Sequence, residues 1–266
     1  MKIPVFQVDA FTDRPFRGNP AAVVILPRKK EARWMQSVAK EMNLSETAFL
    51  WPKKDGFRLR WFTPKVEVEL CGHATLASAF VLWKAGYLRA NQPAKFFTRS
   101  GLLICRRQQD WIFMDFPADS VEKAEPEPAL LESLRIQADS VRFVGRGHFD
   151  YLIEFSSAEE VRSVQPDFHS LAEIKTRGVI ITARSDSPRY DFISRFFAPA
   201  VGVNEDPVTG SAHCLLGPYW AARLQKKKLK GYQASERGGL VRVEVLGQRV
   251  LIGGRAVMVF RGELLG

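Results

Sequence analysis

Apolar residues along this chain follow two rhythms, one with period two and one with the period of a helix. Residues 2–10, AAVVIL (21–26), TAFLW (47–51) and FRLRWF (57–62) read as strands, the last alternating polar and apolar as a half-buried strand does. Residues 31–42 place Trp34, Met35, Val38, Ala39 and Met42 on one stripe, which predicts an amphipathic helix ended by Asn43 and Ser45. The segment ATLASAFVLW after Gly72 is different. It is apolar or small all round and carries no charge, which predicts a helix buried on every side. FFTRSGLLICRR and DWIFMDF then read as two paired strands.

Residues 118–140, with Pro126, Pro128 and mixed charges up to LLESLRI, read as a linker. Beyond it the pattern partly returns: strands at 141–144 and 150–155, a helix near 168–174, the strand GVIITA (178–183), YDFISRFF, a second buried helix, and the strands GLVRVEVLG, QRVLIGG and AVMVFRGEL. RWFTP (60–64) precedes ELCGHATLASAFVLW (69–83), and RFFAP (195–199) precedes EDPVTGSAHCLLGPYW (205–220). Pro64 and Pro199 are 135 residues apart, about half of the 266-residue chain. An internal duplication follows from this. It predicts two α+β lobes, residues 1–119 with a central helix near 72–84 and residues 120–266 with one near 209–224, the last strand able to cross back to the first lobe. Each half presents a helix N-terminus, where unpaired N–H groups and the helix dipole favour an anion, and the cleft between similar lobes is the default site.

Composition narrows the function without naming it. With 46% hydrophobic and 26% charged residues the chain is an ordinary globular protein. No apolar run approaches the roughly 20 residues of a membrane span, and MKIPVFQVDAF lacks the apolar centre of a signal peptide, so a cytoplasmic location is expected. Cys71, Cys105 and Cys214 have no paired spacing, and no CxxC or HExxH is present, so neither a disulfide framework nor a metal is expected. The net charge of +10 falls in short clusters (Arg28 to Lys30, Arg106–Arg107, Lys226 to Lys230) without interleaved aromatics. That reads as a solvated basic surface that steers carboxylates, and not as a nucleic-acid interface.

AFTDRPFRGNPAAV (10–23), EMNLSETAF (41–49), RWFTP, LCGHATLA (70–77) and EDPVTGSAH (205–213) resemble the phenazine-biosynthesis PhzF-like proteins of the diaminopimelate-epimerase fold, in order and over essentially the whole chain. The resemblance implies two pseudo-symmetric lobes, each a mixed β-sheet rolled into a barrel around a central helix. It also implies a cofactor-independent isomerase that acts on a small molecule and often forms a homodimer.

On its own surroundings Glu46 is either a surface glutamate at a strand start or a carboxylate in a poorly hydrated cleft, where its pKa would rise enough for proton transfer near neutrality. The resemblance matches it to the catalytic acid–base. His73 sits at a helix start, where positive potential disfavours its charge; it is either a packing histidine or a neutral site residue. The resemblance favours the site, with Cys71, Gly72 and Ala74 beside it contributing to substrate binding. Asp206 reads as a turn or cap residue, and by resemblance as a catalytic residue lining the pocket, with Thr209, Gly210 and Ser211 as donors to a substrate carboxylate. Gly18 and Asn19 form either a purely structural turn or an approach to the ligand. Arg60, Arg195 and His213 read as structural.

The epimerases place one cysteine base ahead of each central helix. Cys71 matches the first, whereas Asp206, Pro207 and Val208 occupy the second place. That argues against two-thiol racemisation and leaves Cys71 as either a reactive thiol or an inert buried one. The expected activity is proton transfer by Glu46 on a small carboxylate-bearing substrate at the interlobe cleft. The alternative is a pocket-retaining binding or regulatory protein without turnover.

Overall fold

The computed structural model describes residues 2–265, which divide into two compact units, residues 2–115 with 253–265 and residues 116–252. In the first, β1 (Ile3–Ala10) pairs antiparallel with β2 (Asn19–Ile25), Val5 opposite Val24. The helix α1 (Ala32–Met42) crosses over to β3 (Glu46–Lys53), which runs parallel to β2. β4 (Gly56–Phe62) returns antiparallel and pairs with the short β5 (Glu67–Val68). The helix α2 (Gly72–Lys84) then leads to β6 (Ala94–Thr98), parallel to β4, followed by β7 (Gly101–Gln108) and β8 (Trp111–Pro117) in antiparallel succession. The C-terminal strand Ala256–Leu264 comes back antiparallel to β1, from Ile3 opposite Leu264 to Ala10 opposite Ala256.

The two helices do different work. The stripe of α1 packs Trp34, Met35, Val38, Ala39 and Met42 against Ile3, Val5, Val24, Leu26, Phe49 and Phe62. Its end is an αL residue, Asn43, at φ 49°. In α2 every residue from His73 to Trp83 except Phe80 is buried, against β1, β2, β3 and the C-terminal strand. Its two buried hydroxyls are satisfied by the helix itself: Thr75 donates to the Cys71 carbonyl and Ser78 to the Ala74 carbonyl, each at 2.6 Å.

The second unit contains β9 (Glu122–Lys123), α3 (Pro128–Leu134), β10 (Val141–Arg146), β11 (Asp150–Phe155), α4 (Ala158–Ser163), α5 (Phe168–Ala172), β12 (Gly178–Arg184), β13 (Phe192–Ala198), β14 (Val203–Glu205), α6 (Ala212–Leu224), β15 (Lys228–Gln233), β16 (Gly239–Leu246) and β17 (Arg249–Gly254). β10 and β11 are antiparallel, β11 and β12 parallel, β12 and β13 antiparallel. β13 pairs antiparallel with β14 and parallel with β15, and β15 antiparallel with β16. This is the succession of β1 to β7 repeated pair for pair, with RWFTP closing β4 and RFFAP closing β13. The fold is α+β, and the duplication in the sequence is a duplication of hydrogen-bonding order. Among the described residues no helix is long and apolar enough to cross a membrane.

Three expectations change. Residues 118–140 are not a bare linker: Pro128 starts α3, and Leu130 and Leu134 are fully buried. The second central helix begins at Ala212, because residues 209–211 form a turn whose first amide, Thr209 N–H, is taken by Gln233 Oε1 at 2.8 Å. The helix expected at 168–174 is the short α5, and α4 precedes it on a Ser157–Glu160 capping box. Pro218 lies inside α6, so the Cys214 carbonyl has no helical donor; it accepts instead from Asp119 N–H at 3.0 Å.

Leu76 of α2 is fully buried. Leu76→Ala is expected to cost about 2–5 kcal/mol in urea unfolding, whereas Lys40→Ala on the exposed side of α1 stays within about 0.5 kcal/mol.

Candidate active site

Because β2 and β3 are parallel, their starting residues lie at the same sheet edge, Asn19 opening one and Glu46 the other, with Ala21 opposite Glu46. The start of α2 meets that edge. Cys71 is the N-cap residue, and Gly72, His73 and Ala74 are the first three helical residues, whose N–H groups have no acceptor within the helix. Asn19 is fully buried, with its amide nitrogen 3.1 Å from His73 Nδ1. The Cys71 sulfur lies 3.6 Å from Nδ1 and 3.9 Å from Nε2. Glu46 Oε2 lies 2.9 Å from His73 Nε2. That is the distance of an ion pair without the direction of a ring N–H bond, and Oε2 has no well-aligned donor.

The helix field disfavours charge on His73, and its folded surroundings act in the opposite direction. Burial favours the neutral ring, but the Cys71 sulfur and the Glu46 carboxylate outweigh it and hold the His73 pKa well above the ordinary 6.5. Burial, reinforced by the Glu46 charge, pushes the Cys71 thiol up to about 11, despite the opposing effect of His73. At neutral pH Cys71 is therefore a thiol, and the neighbouring Glu46 carboxylate is what draws the His73 pKa upward.

The second unit carries the other motif as a self-contained turn. Thr209 Oγ1 donates to Asp206 Oδ2, and Gln233 Nε2 donates to the Asp206 carbonyl at 2.7 Å and to Thr209 Oγ1 at 3.2 Å. Gly210 and Ser211 complete the turn, their carbonyls accepting from His213 N–H at 3.1 Å and Cys214 N–H at 3.0 Å. Gln233 is fully buried at the end of β15 and organises this loop, although nothing in the local sequence pattern marks it. His213 is also fully buried; its Nδ1 lies 2.9 Å from the Thr209 carbonyl, and burial lowers its pKa to about 4.

Arg60 and Arg195 each form a two-pronged ion pair, Arg60 with Glu67 at 2.6 and 2.6 Å and Arg195 with Glu205 at 2.8 and 2.9 Å. These matching pairs fix β5 against β4 and β14 against β13 just ahead of each central helix. Gly18 owes its identity to the backbone: its φ is +66°, and a Cβ there would sit 2.1 Å from the Ala10 carbonyl oxygen.

Two measurements test this electrostatics and geometry. In NMR titrations His73 is expected to stay protonated well above 6.5, and Glu46→Gln to bring its titration down. Its folded pKa is raised, so its contribution to stability is complete below 6.5 and is lost as pH rises through the folded value. His213 runs the other way: its contribution is complete above 6.5 and is lost as pH falls towards about 4. Gly18→Ala is expected to lower stability by more than the roughly 1 kcal/mol that glycine's freedom alone costs, read as a lower urea midpoint.

Comparison with known proteins places these features. A family profile described as phenazine biosynthesis-like protein matches residues 8–262. An uncharacterized isomerase of Halalkalibacterium halodurans is 53% identical over 266 residues, covering 100% of this chain and 99% of its own. Phenazine biosynthesis-like domain-containing protein 2 of Mus musculus is 42% identical, covering 99% of each chain. The crystal structure of a PhzF-family phenazine biosynthesis protein from Enterococcus faecalis superposes with a TM-score of 0.94 at 41% identity, covering 100% of both chains. A hydroxyproline epimerase of Agrobacterium vitis shares the fold at TM-score 0.63 and 12% identity, covering 99% of this chain and 91% of its own. The chain belongs to the phenazine biosynthesis-like PhzF family.

Proposed function

We propose that this protein is a cofactor-independent isomerase that moves a proton between carbons of a small carboxylate-bearing substrate, with Glu46 as acid and base. The observation that carries this reading is the Glu46–His73 contact of 2.9 Å at the start of a buried helix, with Glu46 Oε2 lacking an aligned donor. An oxygen so placed can accept a proton from carbon without first breaking a good hydrogen bond. When Glu46 takes the proton it becomes neutral, and His73 remains as a cation facing the anion that develops on the substrate. Glu46 then returns the proton to a second carbon on the same face.

Asn19 serves this reading as a positioning residue, because its side-chain amide faces Nδ1 at 3.1 Å and, beside a protonated ring, presents its oxygen to the Nδ1 hydrogen. With Cys71 kept as a thiol, one carboxylate and no thiolate pair is the available base. Gly72 and Ala74 are assigned substrate-binding roles through first-turn N–H groups; in the second unit Asp206, Thr209, Gly210 and Ser211 are assigned corresponding polar roles. Several relatives are named isomerases, which agrees with the reaction class.

The reading is tested with a panel of small carboxylic acids, including aromatic and dihydroaromatic amino acids, incubated with the protein in D2O and followed by NMR. At least one acid is expected to take up deuterium at carbon as it isomerises, and Glu46→Gln to slow that exchange about 10²–10⁴-fold. Exchange by Glu46→Gln at the wild-type rate removes Glu46 from the role.

A further inference from the structure

We propose that Glu46, Cys71 and His73 form a binding site for a soft divalent transition-metal cation, with zinc as the best fit. No metal-binding spacing marks it, because Cys71 and His73 are two residues apart and Glu46 lies 25 residues before Cys71. The fold brings one carboxylate oxygen, one sulfur and one imidazole nitrogen within 4.8 Å of one another. A tetrahedral zinc with bonds of about 2.0–2.3 Å separates its ligand atoms by roughly 3.3–3.6 Å. Here Sγ to Nε2 is 3.9 Å and Nε2 to Oε2 is 2.9 Å, so side-chain adjustments of a few tenths of an ångström close those two edges of the shell.

The donor set has the mixture of sulfur, nitrogen and oxygen that zinc accepts, whereas magnesium and calcium prefer oxygen alone. Nε2 is the ligand nitrogen, since Nδ1 faces the Asn19 amide at 3.1 Å. With Nε2 on the metal the ring is neutral and Nδ1 carries hydrogen, so the Asn19 amide turns its oxygen towards Nδ1, a partner of the kind that orients metal-bound histidines. The fourth position takes water. On binding, the Zn–S bond replaces the S–H bond, and both the thiol proton and the imidazolium proton leave to solvent. Affinity therefore rises with pH. A metal held there occupies the oxygen assigned above to proton transfer, so inhibition of turnover rests on that reading; binding does not.

The test titrates the metal-free protein with zinc at pH 8 by calorimetry, and with cobalt(II) by absorption spectroscopy. One equivalent of zinc per chain is expected, with a dissociation constant at or below the micromolar range. Cys71→Ser and His73→Ala are each expected to weaken binding about tenfold or more. The cobalt-loaded wild type is expected to show a thiolate-to-cobalt charge-transfer band that is absent in Cys71→Ser and kept in Cys214→Ser, whose thiol lies in the second unit. The band in the wild type reads sulfur ligation directly and does not depend on how well any variant folds. No saturable binding, equal affinity in Cys71→Ser, or a cobalt spectrum without the band overturns the site. Zinc binding with deuterium exchange unaffected leaves the site standing and removes the acid–base role of Glu46.

Discussion

A helix with no polar face has to be enclosed, and this chain contains two of them. α2 carries no lysine, arginine, aspartate or glutamate between Gly72 and Trp83, and burial of ten of its thirteen residues requires neighbours on nearly every side. A flat sheet covers one side only. The first unit meets the demand with β1, β2, β3 and the C-terminal strand, and α6 contacts β15 and β16 in the second. The parallel pairs β4–β6 and β13–β15 are each joined through one of these helices, since parallel neighbours need a crossover connection. The Arg60–Glu67 and Arg195–Glu205 pairs fasten the chain just before each helix begins.

Enclosure also decides the chemistry at the helix start. The end of a helix dipole amounts to about half a charge, spread over several N–H groups. A full carboxylate charge 2.9 Å from the imidazole opposes it, and the His73 pKa is raised although the ring stands where a helix disfavours cations. The same carboxylate, together with burial, keeps Cys71 from ionising. One negative group thus pulls the pKa of both neighbours upward.

Most of the strands and all of the long helices were legible because their apolar period is unbroken, and the repeated RWFTP and RFFAP phrases revealed the duplication. α3 was lost in a stretch dominated by proline and charge, although its LLESL core is what buries it. α4 offered a capping signal in Ser157 and Glu160 but too short an apolar pattern. At the site, local reading found Glu46, Cys71 and His73 as separate candidates, yet their mutual distances come from parallel pairing of β2 with β3, which no local pattern encodes. Gln233 was invisible for the same reason: its partners, Asp206 and Thr209, are fixed across β15 and a turn. The upward pull on the His73 pKa was not legible because the helix was in view and Glu46, 27 residues earlier, was not in contact until the chain folded.

The pairing of β1 with the strand Ala256–Leu264 has a consequence for the order in which the molecule can assemble. Ile3 is made before residues 116–252 and its partner Leu264 after them, so the first unit is incomplete until the second has been synthesised. Residues 116–252 are contiguous and can reach their final pairing earlier. Throughout that interval β1 carries an open edge of unpaired amides on one side, of the kind that invites pairing with other chains. Its sequence, IPVFQVDA, carries a proline at its second residue and an aspartate near its end, features that discourage such pairing while the last strand is still being made.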